Sequence, residues 1–281
     1  MTARILIHDV GHGQSVHAFS PIGQTIVVDL GCSDTFSPLK WLKKSSDRID
    51  SLIVTHPHGD HIDEILSLEA LPLKPKQLSR PKWLTREEVL AANQESMRTR
   101  VLAYLSLSDA YSQPIAEDER IGNPQVTGGL SVQTFFSSEC GRSNINNHSG
   151  VVVFEYLGLK VVIPGDNEPP SWQVLLKKAD FVKAISGAYV FLASHHGRES
   201  GYCADIFDVF QPYLCVISDG RVQDTDATSR YSHHAQGWQV HSRSGDPTRE
   251  RKAVTTRSDG FVDIRIGRND NTRAFLEVTC R

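Results

Sequence analysis

The sequence lacks several features that identify common classes of protein. Its 281 residues contain only five cysteines, and no two of them form a Cys-x-x-Cys pair. The sequence therefore predicts neither a disulfide framework nor a thiolate zinc site. No apolar run approaches the roughly 18 residues that a membrane helix needs, and the first residues show no signal-peptide pattern. We expect a cytoplasmic protein with no membrane partner.

A strong excess of one charge is also missing. The chain has 30 Lys+Arg against 33 Asp+Glu, a net charge of -3, which argues against a uniformly basic nucleic-acid-binding protein. The charge is uneven, because residues 221–281 hold 11 basic and 8 acidic side chains, and ten of the basic ones are arginine. This composition predicts either a local phosphate-binding groove or a solvated β surface with salt bridges. The arginines considered for such a groove are Arg221, Arg230, Arg249, Arg251 and Arg257.

Short apolar, β-branched segments alternate with helical ones, which indicates a layered α/β fold. We predict helices at 38–44, 62–69, 172–178 and 206–210. Strands are predicted at 4–10, 24–30, 51–55, 130–136, 150–156, 159–163, 188–193, 214–218, 260–266 and 274–279.

Residues 70–125 differ in character from the segments around them. Three prolines are followed by Thr85 and Glu88, whose spacing is that of a capping box before a helix. We predict one domain over residues 1–281, with a helical insertion or lid at about 70–125. Ordinary helical packing on the core is the alternative.

The strongest signal is the run THPHGDH over residues 55–61, directly after a predicted strand. Imidazole nitrogen and carboxylate oxygen suit zinc and similar divalent ions. A turn that holds His56 and His58 can direct both rings to one ion, and Asp60 and His61 can reach a second. Pro57 stiffens this loop. The run therefore predicts half of a two-metal centre.

The remaining ligands have to come from the ends of other predicted strands, where loops gather over one edge of a sheet. His148 precedes one strand, Asp166 follows the next, and the pair His195 and His196 follows a third. Their joint placement favours a metal centre over unrelated surface residues. With these donors the sequence offers a complete set of ligands for two divalent ions.

The order of these motifs resembles the metallo-β-lactamase superfamily. Within it, the sequence is most similar to the hydrolase domain of ComEC-type competence DNA-uptake proteins. The resemblance covers most of the chain outside 70–125. It rests on the segments DVGHGQS at 9–15, VDLG at 28–31, NHS at 147–149, GD at 165–166, HHG at 195–197 and TTRSDG at 255–260.

The resemblance implies a four-layer αββα sandwich with two metal ions at one edge. It implies that Asp166 bridges the ions and that Asp60 takes part in catalysis. One of His195 and His196 would be a ligand; we favour His196, with His195 as a catalytic, substrate-facing acid or phosphate contact. The implied ligands are His56, His58 and His148 for the first ion, and Asp60, His61 and His196 for the second.

Three departures limit what the resemblance implies. Gln14 stands where the competence branch commonly has Asp, and His148 stands where it often has Asn. No membrane channel is present, so DNA transport is not implied. His58 stands where the redox branch of the superfamily uses Glu, which favours hydrolysis.

We therefore expect a dinuclear metal-dependent hydrolase with two divalent ions, zinc first and manganese as the alternative. The favoured substrate is a phosphodiester, in a nucleic acid or a nucleotide. One alternative is a hydrolase of small thioesters, lactones or lactams. Another is a metal-stabilised interaction or sensor component of a defence-type system.

Further side chains are assigned to the surroundings of the metals. His8 and His17 are expected to be structural. The expected substrate contacts are His233, His234, Arg230 and Arg257, and the residues expected behind the ligands are Asp9, His12 and Asp29.

Overall fold

The computed structural model describes residues 1–220, 224–243 and 248–280. Within these ranges the α-helices are α1 (Pro38–Lys43), α2 (Gly59–Ile62), α3 (Ser67–Ala70), α4 (Arg86–Ala91), α5 (Arg98–Ala110), α6 (Pro169–Leu175), α7 (Ala179–Ile185), α8 (Thr228–His234) and α9 (Thr256–Asp259). Short 3₁₀ helices lie at Glu95–Met97, Ile145–His148, Ser194–Gly197, Glu199–Gly201 and Ala204–Asp208. The strands are β1 (Thr2–Ile7), β2 (Val16–Phe19), β3 (Thr25–Val28), β4 (Ile49–Ile53), β5 (Pro75–Ser79), β6 (Ser131–Phe135), β7 (Val151–Tyr156), β8 (Leu159–Ile163), β9 (Val190–Leu192), β10 (Leu214–Ile217), β11 (Trp238–Ser242), β12 (Arg249–Arg251), β13 (Ala253–Thr255), β14 (Val262–Arg268) and β15 (Ala274–Cys280).

The described strands form two sheets. The first has nine strands in the order β12-β11-β15-β14-β1-β2-β3-β4-β5, and the second has six in the order β13-β10-β9-β8-β7-β6. Strands β3, β4 and β5 run parallel to one another, as do β8, β9, β10 and β13. Loops that follow parallel strands meet at one edge of a sheet, which is where ligands bind in such folds.

Three apolar clusters define the layers. One lies between the two sheets and includes Ile5 and Val28 from the first and Phe154 from the second. A second cluster packs α6, α7 and α8 on the six-stranded sheet. A third packs α1 to α5 on the nine-stranded sheet. The four-layer αββα sandwich expected from the motifs is confirmed, since helices cover both outer faces of a two-sheet core.

The segment 70–125 is only partly helical. Its strand β5 pairs in parallel with β4 at the edge of the nine-stranded sheet, and α4 and α5 contribute Val89 and Val101 to the third cluster. The side-chain amide of Asn93 donates to the carbonyl of Pro57 at 2.9 Å. The segment thus packs against the metal-ligand loop, and a lid function stays a prediction.

Three helix predictions differ from the structure. The short helix predicted at 206–210 lies two residues earlier, as the 3₁₀ helix Ala204–Asp208. The predicted helix at 62–69 is replaced by two single turns, α2 and α3, which the structure separates at 63–66. The helix predicted at 172–178 begins earlier, at Pro169, because proline is well suited to the first helical turn.

None of the helices in the described ranges combines the length and apolar character of a membrane span.

His8 and His17 form a buried pair beneath α1. Their ring centroids lie 4.4 Å apart, and the ring of His8 lies 5.3 Å from that of Trp41. Burial, with a smaller effect of Arg4, lowers the pKa of His8 to about 3, and burial lowers the pKa of His17 well below 6.5. Both imidazoles are therefore neutral in the folded protein.

This burial predicts a loss of stability in acid. The unfolded chain binds protons at these histidines below about pH 6.5 and the folded chain does not, so the free energy of unfolding falls as pH falls. For His17 alone the loss between pH 7.5 and 5.5 is about 1.4 kcal/mol. Urea unfolding at both pH values should show this pH dependence reduced in His17→Leu. His233→Leu, at an exposed position, should keep it; equal pH dependence in all three proteins would contradict the assignment.

Candidate metal centre

The residues of the motif meet in four loops at one edge of the sandwich. His56 to His61 follow β4, Asp166 follows β8, and the pair His195 and His196 follows β9. The β1–β2 turn brings His12 to the same place. The parallel pairs β3–β4 and β8–β9 put the ends of strands from both sheets at this edge.

The ligand loop is fixed through its backbone. The carbonyl of His61 accepts from the N–H of Leu30 at 2.8 Å, and the carbonyl of Asp60 accepts from the N–H of Gln14 at 3.3 Å. Gly13 has φ +139°, and a Cβ there would lie 2.7 Å from the carbonyl oxygen of Asp60. Glycine therefore allows the β1–β2 turn to approach the ligand loop.

Side-chain donor atoms from the predicted ligands converge in two groups. In the first, His56 Nε2 lies 3.0 Å from His58 Nδ1. In the second, His196 Nε2 lies 3.3 Å from His61 Nε2 and 3.1 Å from Asp60 Oδ2. Ligands about 2.0–2.1 Å from a tetrahedral zinc lie ~3.4 Å apart, so both spacings suit a shared ion.

Asp166 lies between the two groups. Its Oδ1 is 3.2 Å from His61 Nε2, and its Oδ2 is 3.4 Å from His196 Nε2 and 3.9 Å from His56 Nε2. In the second group, Asp60, His61, Asp166 and His196 each offer one donor atom within 4.8 Å of the others. Asp166 therefore contacts both donor groups, and its role as a bridging ligand stays a prediction.

Hydrogen bonds behind the ligands determine which nitrogen of each imidazole faces the centre. Asp29 Oδ2 accepts from His61 Nδ1 at 2.8 Å, and the carbonyl of Ser218 accepts from His196 Nδ1 at 3.0 Å. With Nδ1–H donating in this way, each imidazole carries its lone pair on Nε2 when it is neutral, as metal ligation requires. Asp166 Oδ1 is buried and faces His61 Nε2 at 3.2 Å, with no other hydrogen-bond partner within the described ranges. Imidazole lone pairs and carboxylate oxygens repel one another when no proton lies between them. A bound cation removes this repulsion, so the residues present fit divalent ions.

The pKa shifts agree with this charge pattern. Burial, followed by the proximity of His61, lowers the pKa of His56 well below its usual value, and burial lowers that of His58. For His196, burial opposes the charged form, but Asp166 and Asp60 outweigh it and raise the pKa to about 10. In the absence of metal, the carboxylates therefore hold a proton where a cation fits.

His195 also faces the centre, because its Nε2 lies 3.7 Å from Asp166 Oδ2. Its Nδ1 lies 2.9 Å from the hydroxyl of Ser200 and 3.5 Å from Glu168 Oε1. Both His195 and His196 have positive φ, 50° and 56° respectively, a strained conformation for residues other than glycine. The tight turn explains how two consecutive imidazoles reach one centre.

His148 differs from the other predicted ligands. Its Nδ1 lies 3.0 Å from Trp83 Nε1 and 2.9 Å from the carbonyl oxygen of Ser137. Its Nε2 is buried without a hydrogen-bond partner among the described residues. Within the same ranges, no hydrogen bond or ion pair joins it to His56 or His58, so its role as a ligand stays a prediction.

Two of the three residues expected behind the ligands lie there. Asp29 is fully buried and contacts His61, and His12 Nε2 lies 3.2 Å from Asp60 Oδ2. Asp9 is exposed instead, and its carboxylate accepts from the N–H of Gly11. Its position before the turn directs the side chain to solvent.

The expected substrate contacts have other partners. Arg230 pairs with Glu199, and Arg257 pairs with Asp226 at 2.8 Å. His234 donates to or accepts from the hydroxyl of Tyr202 at 2.7 Å and stacks on Phe207, and His233 is exposed beside it. No described hydrogen bond or ion pair links these four residues to the metal ligands, so their contact with substrate stays a prediction; Arg221 lies outside the described residues.

Sequence reasoning missed three polar residues around the centre. They are Glu168 beside His195, Asp219, whose Oδ1 lies 3.4 Å from His12 Nδ1, and Arg198, whose Nη2 lies 3.5 Å from the same nitrogen. Arg198 directly follows the HHG segment, which was the available signal. No motif in the sequence around Glu168 or Asp219 indicates that these residues lie at the centre.

A family model gives independent support. The model of the metallo-β-lactamase superfamily matches residues 16–68, a span that contains β2 to β4 and the whole ligand loop. A comparison with curated protein sequences finds no match. The match is partial, and together with the cluster of His and Asp side chains it supports a metal-binding site at this loop. The closer relation to competence proteins stays a prediction from the motifs.

Several solved structures are similar in fold. A Thermotoga maritima protein described as a zinc-dependent hydrolase of this superfamily is 15% identical, with 89% of this chain and 97% of that chain covered and a TM-score of 0.42. Zinc-bound PqqB from Methylobacterium extorquens is 12% identical, with 77% and 89% covered and a TM-score of 0.45. CmlA, a diiron β-hydroxylase from Streptomyces venezuelae, is 16% identical, with 76% and 44% covered and a TM-score of 0.43. Likeness at this level assigns no activity to this chain.

The contact between Asp29 and His61 predicts an effect on metal affinity. Asp29→Asn removes the charge that holds the His61 tautomer, so zinc affinity should fall by about 10- to 100-fold. Competition with a chelating dye measures this affinity. Asp50→Asn removes another buried carboxylate of the same sheet, one that accepts from Thr25 N–H and Lys76, and should leave it unchanged. Equal affinities in Asp29→Asn and the wild type would contradict the role of Asp29.

Proposed function

We propose that this chain is a dinuclear metal-dependent hydrolase. The observation that carries the proposal is Asp166, a buried carboxylate in contact with imidazoles of both donor groups. A carboxylate shared between two groups of imidazoles is suited to a two-metal site, in which both ions act on the attacking and leaving oxygens of a displacement. The first ion would be held by His56, His58 and His148, the second by Asp60, His61 and His196, and both by Asp166.

Two divalent ions would supply an activated water and stabilise the attacking and leaving oxygens. The protein holds the ligands rigid through Asp29 and Ser218, which keeps each Nε2 directed at the centre. Hydrolysis of a phosphodiester breaks the bond from phosphorus to the leaving oxygen and forms one to the water oxygen. The leaving oxygen takes a proton, and His195 and His12 are the imidazoles beside the ligands that are available to supply it.

Phosphodiesters are our proposed substrates, as nucleic acid or nucleotide, in a phosphodiesterase or nuclease. The motif resemblance to competence hydrolase domains supports this proposal. The arginine-rich tail supports it less than expected, because Arg230, Arg251 and Arg257 are each paired with a carboxylate. The imidazole and carboxylate donors suit zinc first and manganese second. All five cysteines are unpaired, which is compatible with the proposed cytoplasmic location.

Metal content tests the dinuclear centre. We expect two equivalents of zinc or manganese per chain after reconstitution, measured by elemental analysis. Asp166→Ala should reduce bound metal to below one equivalent, because both ions lose a ligand. Asp270→Ala removes an exposed carboxylate in the β14–β15 turn and should retain both ions. Less than one equivalent in the reconstituted wild type would exclude the dinuclear proposal.

A substrate panel tests the activity. The reconstituted protein should hydrolyse bis(p-nitrophenyl) phosphate and at least one of single-stranded DNA, duplex DNA, RNA and cyclic nucleotides. Asp60→Ala and His61→Ala should lower the rate by at least about 100-fold while circular dichroism shows an unchanged fold. Faster hydrolysis of a lactam, lactone or thioester than of every phosphodiester would favour the small-molecule alternative. No hydrolysis with both metals bound would favour an interaction or sensor role.

A further inference from the structure

We infer that Arg198 binds the phosphoryl oxygens of an anionic substrate beside the metal centre. This inference rests on the proposed function and adds a residue that selects phosphodiesters over neutral esters. Three observations carry it. They are the rigid turn that positions Arg198, the contacts of its guanidinium group, and the buried N–H that these contacts leave unpaired.

The turn fixes Arg198 relative to the ligand His196. His195, His196 and Gly197 all have positive φ, and the chain returns to extended geometry at Arg198 with φ -76° and ψ 156°. The N–H of Arg198 donates to the carbonyl of His195 at 2.9 Å, and the carbonyl of Gly197 accepts from the N–H of Ala227 at 2.8 Å. A backbone held in this way fixes the point from which the Arg198 side chain extends, two residues after the ligand His196.

The guanidinium group extends toward the metal ligands. Its Nη2 lies 3.5 Å from His12 Nδ1, and the other nitrogen of His12 lies 3.2 Å from Asp60 Oδ2. One imidazole ring therefore separates the positive charge from a ligand of the second ion. A substrate whose reacting atom lies at the ions comes within reach of this side chain.

The contacts of Arg198 leave most of its charge available. Among the described residues its one ion pair is with Asp224 at 3.2 Å, and the Asp224 side chain is 83% exposed. Exposed pairs of this kind contribute little, because water screens them. The Nε–H of Arg198 is buried and has no hydrogen-bond partner among the described residues. A buried donor without an acceptor is costly, and an anionic ligand oxygen would satisfy it.

Other arginines in the C-terminal part of the chain differ in their contacts. Arg257 also keeps a buried N–H without a described partner, at Nη1, so the contact with His12 is what distinguishes Arg198. Arg251 contacts both carboxylate oxygens of Asp259, at 3.1 and 3.2 Å, which matches its planar group completely. Arg230 and Arg257 are paired with Glu199 and Asp226. No described hydrogen bond joins these three to His12 or to the metal ligands. Arg198 is thus the better-placed cation for substrate.

The geometry of a guanidinium group explains the expected preference. Its N–H groups form a planar fork that donates to two oxygens of a phosphate at once, and it stays charged at all relevant pH values. A phosphodiester carries one negative charge shared by two non-bridging oxygens. Lactones, lactams and thioesters have no such charge, so Arg198 would contribute less to their binding.

The test compares Arg198→Lys, Arg198→Gln and Arg198→Ala with the wild type, all as full chains with metal restored. We expect kcat/KM for bis(p-nitrophenyl) phosphate to fall about 10- to 100-fold in Arg198→Ala and Arg198→Gln. Arg198→Lys keeps the charge without the fork and should fall between them and the wild type. The ratio of kcat/KM for the phosphodiester to that for p-nitrophenyl acetate should fall as well.

Two further measurements separate binding from structure. Calorimetry should show thymidine 5′-monophosphate binding at least about 10-fold more weakly to Arg198→Ala, with two metal equivalents and the thermal midpoint unchanged. Arg273→Ala removes a like charge from the exposed β14–β15 turn, at the end of β14 remote from the centre, and should bind as the wild type does.

The outcomes distinguish this inference from the proposed function. Nucleotide affinity and kcat/KM within about two-fold of the wild type in Arg198→Ala would overturn the role of Arg198. Binding that depends on Arg198, without turnover of any phosphodiester, would overturn the proposed hydrolysis and leave the anion site standing. Loss of metal in Arg198→Ala but not in Arg198→Gln would show that the alanine variant is misfolded. The nucleotide affinity and kcat/KM of Arg198→Gln would then test the role of Arg198.

Discussion

The carboxylate of Asp29 joins the parts of the molecule on which the metal centre depends. It lies at the end of β3 and accepts from the side chain of Gln14, from the backbone and hydroxyl of Thr55, and from His61. These partners belong to the β1–β2 turn, the start of the ligand loop and the ligand set itself. The parallel pairing of β3 with β4 brings Asp29 beneath Thr55, so the position of the ligands follows from sheet register. Asp29 adopts φ 59°, a conformation that aspartate tolerates better than most residues.

The negative charges of the metal centre are not compensated unless a proton or a cation is present. Asp60 and Asp166 approach the same imidazole nitrogens, and buried carboxylates so close to one another need positive charge between them. In the metal-free chain the neighbouring carboxylates outweigh the effect of burial and raise the pKa of His61 and His196. The protonated imidazoles then supply this positive charge. Divalent ions supply more charge and accept the lone pairs that Asp29 and Ser218 direct inward. Metal affinity and the stability of this edge are therefore coupled.

Much of the fold could be predicted because it follows from local patterns. The strand at 159–163 is found at its predicted bounds, and the THPHGDH run forms the ligand loop. The helix predicted at 62–69 fails because tertiary bonds compete with it: the N–H of Glu64 donates to the carbonyl of Leu30. Arg198 could not be predicted as part of the site, because its partner His12 lies 186 positions away in the sequence. Similarly, nothing local distinguishes exposed Asp9 from buried Asp29.

Composition alone does not indicate whether this chain binds anions. A net charge of -3 suggests no affinity for anions, and an arginine-rich tail suggests the opposite. Neither the net charge nor the number of arginines decides whether an anion binds, because a guanidinium group that already pairs with a carboxylate contributes little to ligand binding. What matters is where a donor remains unsatisfied. Among the arginines discussed, Arg198 combines a buried free Nε–H with contact to a side chain of the centre. One such group beside the proposed metal centre would select anionic substrates in an otherwise acidic protein, because short-range hydrogen bonds outweigh screened long-range charge.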